Sequence, residues 1–168
     1  IQNTLIGGLA GDALTDADKN VAIGYAALTA DTLGSKSVAI GLGTLEAQNF
    51  TTATDSFNTA VGAEAGATVT TGTQNTLIGG QAGDALTTGG ENVAVGAFAL
   101  SGEDGNGKNV AVGVQALLAQ NAGAEAYNVA VGYLAGSAVT TGIQNTLVGG
   151  LAGDALTDAD HNVAVGYN

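Results

Sequence analysis

The sequence predicts an all-β fold, a parallel β-roll or β-solenoid of about ten rungs of 17 residues each. Three observations predict it. The pattern Asn-(Thr/Val)-(Leu/Ala)-(Ile/Val)-Gly closes on Gly7, Gly24, Gly41, Gly62, Gly79, Gly96, Gly113, Gly132, Gly149 and Gly166. Seven of the nine intervals are 17 residues, and the other two are 21 and 19. Composition agrees: 28 glycines, no proline and only 11% charged residues make a chain too apolar for disorder and unlike an ordinary domain. Helical repeat families need units of about 33 residues, and no segment here keeps a 3.6-residue spacing.

Each unit reads in the same order. Asn, once replaced by Ser37, opens it, and its side chain can bond a turn or stack into a ladder with the next rung. A run such as "NVAVG" then alternates β-branched residues as a strand does. The closing glycine, Gly24 or Gly96 for example, implies a bend or a close backbone approach that a Cβ would block. A second segment such as "YAALT" and a polar Asp, Thr, Gly and Asn stretch finish the unit. Two short strands and two turns per rung are expected, stacked at about 4.8 Å, so that ten rungs span roughly 48 Å.

Strand side chains alternate between faces. Residues flanking the middle position, Val21 and Ile23, Val38 and Ile40, Val93 and Val95, Val110 and Val112, Val129 and Val131, are expected to fill the roll interior. The middle residue then points outward: Leu5, Ala22, Ala39, Ala60, Leu77, Ala94, Ala111, Ala130, Leu147 and Ala164. It is apolar in every rung. Strands buried on both faces read as continuous apolar runs, whereas a thin roll has one interior. Another chain is therefore expected to cover these middle residues as a subunit interface.

A slower period overlies the first. Asn3, Asn75 and Asn145 begin "NTLIGG" or "NTLVGG", giving super-repeats at approximately 1–72, 73–142 and 143–168 within one continuous array, 1–168. Residues 143–166 repeat residues 1–24 with three substitutions, as expected of a segment of a longer fibre.

Other classes fall away on composition and spacing. Lys19, Lys36 and Lys108 are the only cations against fifteen carboxylates, a net charge of −12, which excludes nucleic acid as a partner. No apolar run reaches the 18 or so residues of a membrane helix, so no membrane insertion is expected. Catalysis has little to work with, and no enzyme is expected. His161 stands where the first copy has Lys19, cysteine is absent, and no His-acid-nucleophile set can be assembled more than once. "GEDGNGKN" at 102–109 mimics a phosphate loop but lacks the Ser or Thr after Lys108 and leads into a strand. Asp16 and Asp18 with Asn20, repeated as Asp158 and Asp160 with Asn162, form an oxygen-rich turn; calcium is the ion it would suit, a solvated acidic turn the simpler reading. No other metal and no cofactor is indicated.

The units "NVAIGYAAL", "SVAIGLGTL" at 37–45 and "NTAVGAEAG" at 58–66 resemble the repeat of YadA-like heads in trimeric autotransporter adhesins, similar repeats of which occur in phage tail fibres. The resemblance spans essentially the whole chain. It implies a homotrimer of left-handed parallel β-rolls, extracellular or on a virion surface, whose role is attachment to a host or cell-surface receptor. The spacing of 17 is slightly long for the bacterial heads. A phage tail or virion fibre, acting as rigid spacer and adhesin, is the first expectation. A bacterial adhesin head or extracellular filament is the alternative. An ice-surface binder would need a Thr ladder in every rung, and paired threonines occur at only four places: 51–52, 70–71, 87–88 and 140–141. Insertions in solenoids fall at loops on one side, so Gln48, Asn49, Phe50, Thr51 and Thr52, in the four-residue insertion, form the candidate receptor loop.

Overall fold

The computed structural model describes residues 2–168. Its strands run in chain order as β1 (Thr4–Ile6), β2 (Val21–Ile23), β3 (Gly34–Ser35), β4 (Val38–Ile40), β5 (Thr54–Asp55), β6 (Thr59–Val61), β7 (Thr76–Ile78), β8 (Val93–Val95), β9 (Val110–Val112), β10 (Val129–Val131), β11 (Thr146–Val148) and β12 (Val163–Val165). All except β3 and β5 form one ten-stranded parallel sheet in which each rung pairs with the next, so the fold is a parallel β-solenoid of about ten turns. Among the described residues there is no helix. Register is strict: Leu5 lies opposite Ala22, and Leu147 opposite Ala164. Both insertions loop out without shifting it, since Ala39 still faces Ala60 and Ala111 faces Ala130.

Each rung has one three-residue strand in the main sheet, where two strands per rung were expected. The second segment is a turn because its backbone repeatedly enters the left-handed region. The residue before each Asn does so (Lys19 at φ +60°, Tyr127 at +53°), as do the second and fourth residues after each glycine (Ala26 at +56°, Leu28 at +54°). Left-handed conformation costs a non-Gly residue roughly 1–2 kcal/mol and cannot belong to a strand. Ladder bonds between rungs offset it: Ala26 N donates to Gly8 O at 2.9 Å and Leu28 N to Thr44 O at 3.0 Å, so one rung grips both neighbours.

The glycines and asparagines act as their spacing implies. Gly79 sits at φ +134°, and a Cβ there would lie 2.5 Å from the Gly96 carbonyl oxygen of the next rung. The asparagines form an internal ladder. Asn75 N donates to Asn58 Oδ1 at 2.9 Å, while Asn58 Nδ2 donates to Gly72 O at 2.7 Å. Such an amide closes its own turn and docks the next rung; Asn109, alone among the buried ladder asparagines described, docks the next rung without closing its turn, its Nδ2 having no partner.

The two faces of the sheet are exchanged relative to expectation. Ala22, Ala39, Ala60, Leu77, Ala94, Ala111, Ala130 and Leu147 are fully buried within the single chain, so they line its interior and no second chain is needed to cover them. Leu5 and Ala164, in the end rungs, lack a neighbour on one side and are partly exposed. The flanking residues placed inside by sequence, Val21, Ile23, Val38, Ile40, Val93, Val95, Val110, Val112, Val129 and Val131, form the outer face: nine are half-buried and Val131 is exposed. Volume is the reason. The interior of so thin a roll has room for a large side chain from one wall or the other but not both, and where both are small, Ala60 with Gly66 and Ala130 with Gly136, leucines of the adjacent rungs fill the space. Where the strand offers Ala22, Ala39, Ala94 or Ala111, the turn offers buried Leu28, Leu45, Leu100 or Leu117. Where the strand offers Leu77, the turn has Gly83, and a Cβ there would lie 2.8 Å from Leu77 Cδ2.

Seven residues past each motif glycine the interior position runs Leu14, Asp31, Gln48, Val69 and then Leu86, Glu103, Gln120, Val139, so each super-repeat buries an acid and an amide. Asp31 is well held. Gln48 Nε2 donates to its Oδ2 at 2.6 Å, and Gly34 N and Phe50 N donate to its Oδ1. Glu103 is held by Asn106 alone, whose N and Nδ2 donate to Oε1. Burial raises the Glu103 carboxyl above its ordinary 4.5, opposed by the bonds from Asn106. The folded chain therefore keeps this proton to higher pH than the unfolded chain does. Stability falls as pH rises from about 4.5 through the raised native value, then levels. Glu103→Gln is expected to lack that slope. Urea midpoints of the two proteins, measured across this interval, should diverge with wild type losing ground; parallel curves would refute it.

Candidate functional site

Both insertions fall at the same place in the super-repeat, between its third and fourth rungs, from Gly41 to Gly62 and from Gly113 to Gly132. Each lies beside the same set of surface side chains. The residue before the ladder Asn or Ser is Lys36 or Lys108 in the third rung and Phe57 or Tyr127 in the fourth, with φ values of +63°, +66°, +51° and +53°. Left-handed backbone at that position splays these side chains off the turn.

In the first set, β5 pairs in parallel with β3, with Asp55 opposite Ser35. This side ladder brings Asp55 Oδ2 to 2.5 Å from Lys36 Nζ, and the ammonium stands 5.0 Å from the Phe57 ring centroid. In the second, Lys108 Nζ lies 2.8 Å from Glu125 Oε2, which also accepts from Tyr127 Oη at 2.8 Å, and the ammonium is 5.4 Å from the ring. The bond to Glu125, then that to Tyr127, holds the Lys108 ammonium above its ordinary value, and Lys108 holds the Glu125 carboxyl below its own. Exposed pairs of this kind add little stability. They fix the rings instead. Phe57 and Tyr127 remain about half exposed, at 52% and 49%, and four rung spacings separate them by about 19 Å. Each set offers an apolar ring, a donor and an acceptor, which is recognition chemistry and contains no nucleophile with a base.

The candidate receptor loop divides in the structure. Asn49, Thr51 and Thr52 are exposed, whereas Gln48 and Phe50 are buried and cannot meet a receptor. Gln48 belongs to the interior, donating to Asp31 and Ser37 and accepting from Asn58. Phe50 folds back over Gly34, where a Cβ would lie 2.7 Å from its ring. Sequence reasoning missed the Lys-acid-aromatic sets, although a signal existed: both lysines and both aromatics recur in phase with the super-repeat.

The acidic turns do not converge. Asp16 and Asp158 are exposed, Asp160 Oδ1 accepts from Ile143 N at 2.8 Å, and Asp18 N donates to Ser35 Oγ. Among the described residues no group of three or more His, Cys, Asp or Glu could hold a metal ion. His161 is exposed in a turn at φ +60°. No helix among the described residues is long and apolar enough to cross a membrane. Compared with protein-family models, with curated proteins and with solved structures, the chain matches none.

Proposed function

We propose that the chain is part of a rigid homotrimeric attachment fibre, a left-handed β-roll of the phage tail or virion type, that joins a structural spacer to a host-surface adhesin. One observation carries this reading: the outer face of the ten-stranded sheet is β-branched from end to end and uncharged, with Thr at one of its two positions in four rungs and Val or Ile elsewhere. Val, Ile and Thr side chains form that face in every rung, Ile78 and Val131 being 39% and 37% exposed in the middle of the array. One residue past the glycine, Tyr25, Leu42, Val114 and Tyr133 add exposed apolar surface. Single soluble chains rarely expose a largely apolar, uncharged strip of this length. Two further copies around a common axis cover it, each offering the same face. Stiffness comes from the in-register ladder, and the repeated Lys-acid-aromatic sets supply weak contacts that a trimer multiplies through tethering. A fibre of this kind works outside the cell that makes it or on the surface of a virion.

Light scattering tests the assembly. The wild-type chain is expected at three times its 16.1 kDa mass. Val95→Asp combined with Val112→Asp should give a folded or aggregating species that is no longer trimeric. A soluble, well-folded wild-type monomer would overturn the trimer. Attachment has its own readout: Phe57→Ala with Tyr127→Ala should lower retention on host cell envelopes several-fold at unchanged mass, and unaltered retention would remove these rings from that role.

A further inference from the structure

The two super-repeats solve the same interior position differently, and the second leaves it incomplete. In the first, Gln48 Nε2 donates to Asp31 Oδ2 at 2.6 Å and to Ser37 Oγ at 2.9 Å, a closed set. The same columns of the second hold Glu103, Gln120 and Asn109, all fully buried. There Glu103 Oε2, Gln120 Nε2 and Asn109 Nδ2 have no partner. Buried polar atoms are almost always paired, so three orphans in two adjacent rungs require an explanation.

The amide orientations are fixed by their other ends. Gln120 Oε1 accepts from Asn128 Nδ2 at 2.6 Å, and Asn109 Oδ1 accepts from Asn128 N at 3.1 Å, so both free ends are donors. Glu103 Oε1 already accepts twice from Asn106, leaving Oε2 as the free acceptor. The insertion accounts for the orphaned Asn109. Ladder asparagines give Nδ2 to the carbonyl 14 residues on, as Asn92 does to Asn106 O and Asn128 to Gly142 O. For Asn109 that residue is Gly123, in the looped-out insertion, and nothing lies within 4 Å of where its Cβ would be. Space differs too: where the first super-repeat packs buried Phe50, the second has Ala122.

We propose that the Glu103, Asn109 and Gln120 side chains enclose a binding site for one structural water, which accepts from both amides and donates to the carboxylate. Three hydrogen bonds is the usual complement of a buried water. Two amide donors repel a metal cation, and the carboxylate repels an anion, so the donor set selects a neutral molecule with both functions.

A crystal structure that resolves ordered solvent tests this. It should show a fully occupied water bonded to all three atoms and none between Asp31, Ser37 and Gln48. Glu103→Asp, Asn106→Gly, Asn109→Ser and Ala122→Phe together transplant the first arrangement, the glycine being needed because a Cβ at the matching Gly34 would overlap Asp31 Oδ2, and oxygen-17 relaxation dispersion should then count one long-lived water fewer per chain. Direct contact between Gln120 and Glu103 with no water between them, a metal ion at that place, or an unchanged water count in the folded variant would overturn the proposal. Should the variant not fold, the wild-type solvent density alone decides.

Discussion

Gly96→Ala is expected to cost on the order of 3–5 kcal/mol and to divide the array near its middle. Gly96 has φ +137°, a region essentially closed to residues with a Cβ. The added carbon would also overlap the Gly113 carbonyl, standing 2.5 Å from its carbon and 2.9 Å from Val114 N. Those atoms are backbone of the next rung and cannot turn aside. They are held by the ladder itself, with Gly96 N bonded to Ile78 O and Gly113 N to Val95 O, both at 2.7 Å. In a solenoid each rung contacts only its neighbours, so losing one interface uncouples the two halves. Gly123→Ala is the control. It has φ +66° with nothing within 4 Å, so it should cost only the left-handed penalty of about 1 kcal/mol. Urea unfolding measures both: Gly96→Ala should lower the midpoint strongly or split the transition, and amide exchange should quicken around β8 and β9. Equal midpoints for the two variants would mean that the glycine is not what seats the rungs.

The glycine was legible in the sequence because it recurs at one phase and nothing else replaces it. So was the stacking, which follows from the period, and so was the Asn ladder, which the structure shows from Asn3 to Ser37 and again from Asn58 to Asn162. Which strand face is inside was not. Alternation says that Val93 and Val95 oppose Ala94, yet both sets are apolar and hydropathy cannot rank them. The pairing of volumes can. Leu77 and Leu147 occur with Gly83 and Gly153, while Ala94 and Ala111 occur with Leu100 and Leu117. Two walls sharing one space never both carry leucine, and where both are small, Ala60 with Gly66 and Ala130 with Gly136, leucines of the adjacent rungs reach in; outward-facing residues have no reason to show this.

The left-handed second segment was illegible for a different cause. Leu28, Glu64 and Gln115 have no propensity for positive φ, and ladder bonds to both neighbouring rungs impose it. At the candidate site, Phe50 drew attention as an aromatic in an insertion, although a lone aromatic there is as readily a lid on the core as a contact. Phase within the super-repeat separates the two cases. Lys36 and Phe57 have counterparts in Lys108 and Tyr127, whereas Phe50 is matched by Ala122.

Shared volume also predicts how two core substitutions combine. Ala94→Leu alone should destabilise by about 1–3 kcal/mol, because buried Leu100 already fills that level. Leu100→Gly alone should cost about 2–5 kcal/mol for the emptied space, reduced by relief at φ +56°. Together they rebuild the Leu77 and Gly83 arrangement one rung away. The strand leucine can then reach across to the glycine backbone, as Leu77 Cδ2 does, 2.8 Å from the Cβ position of Gly83. The double variant should therefore lie closer to wild type than the sum of the singles by about 2 kcal/mol, a coupling of the size found for contacting residues. Urea midpoints of the four proteins, at matched oligomeric state, give the number. Were Ala94 on the outside and Val93 and Val95 within, Ala94→Leu would be nearly neutral and the pair would add without coupling. The cycle thus decides which face of the strand the roll encloses, and with it which face is left for another chain.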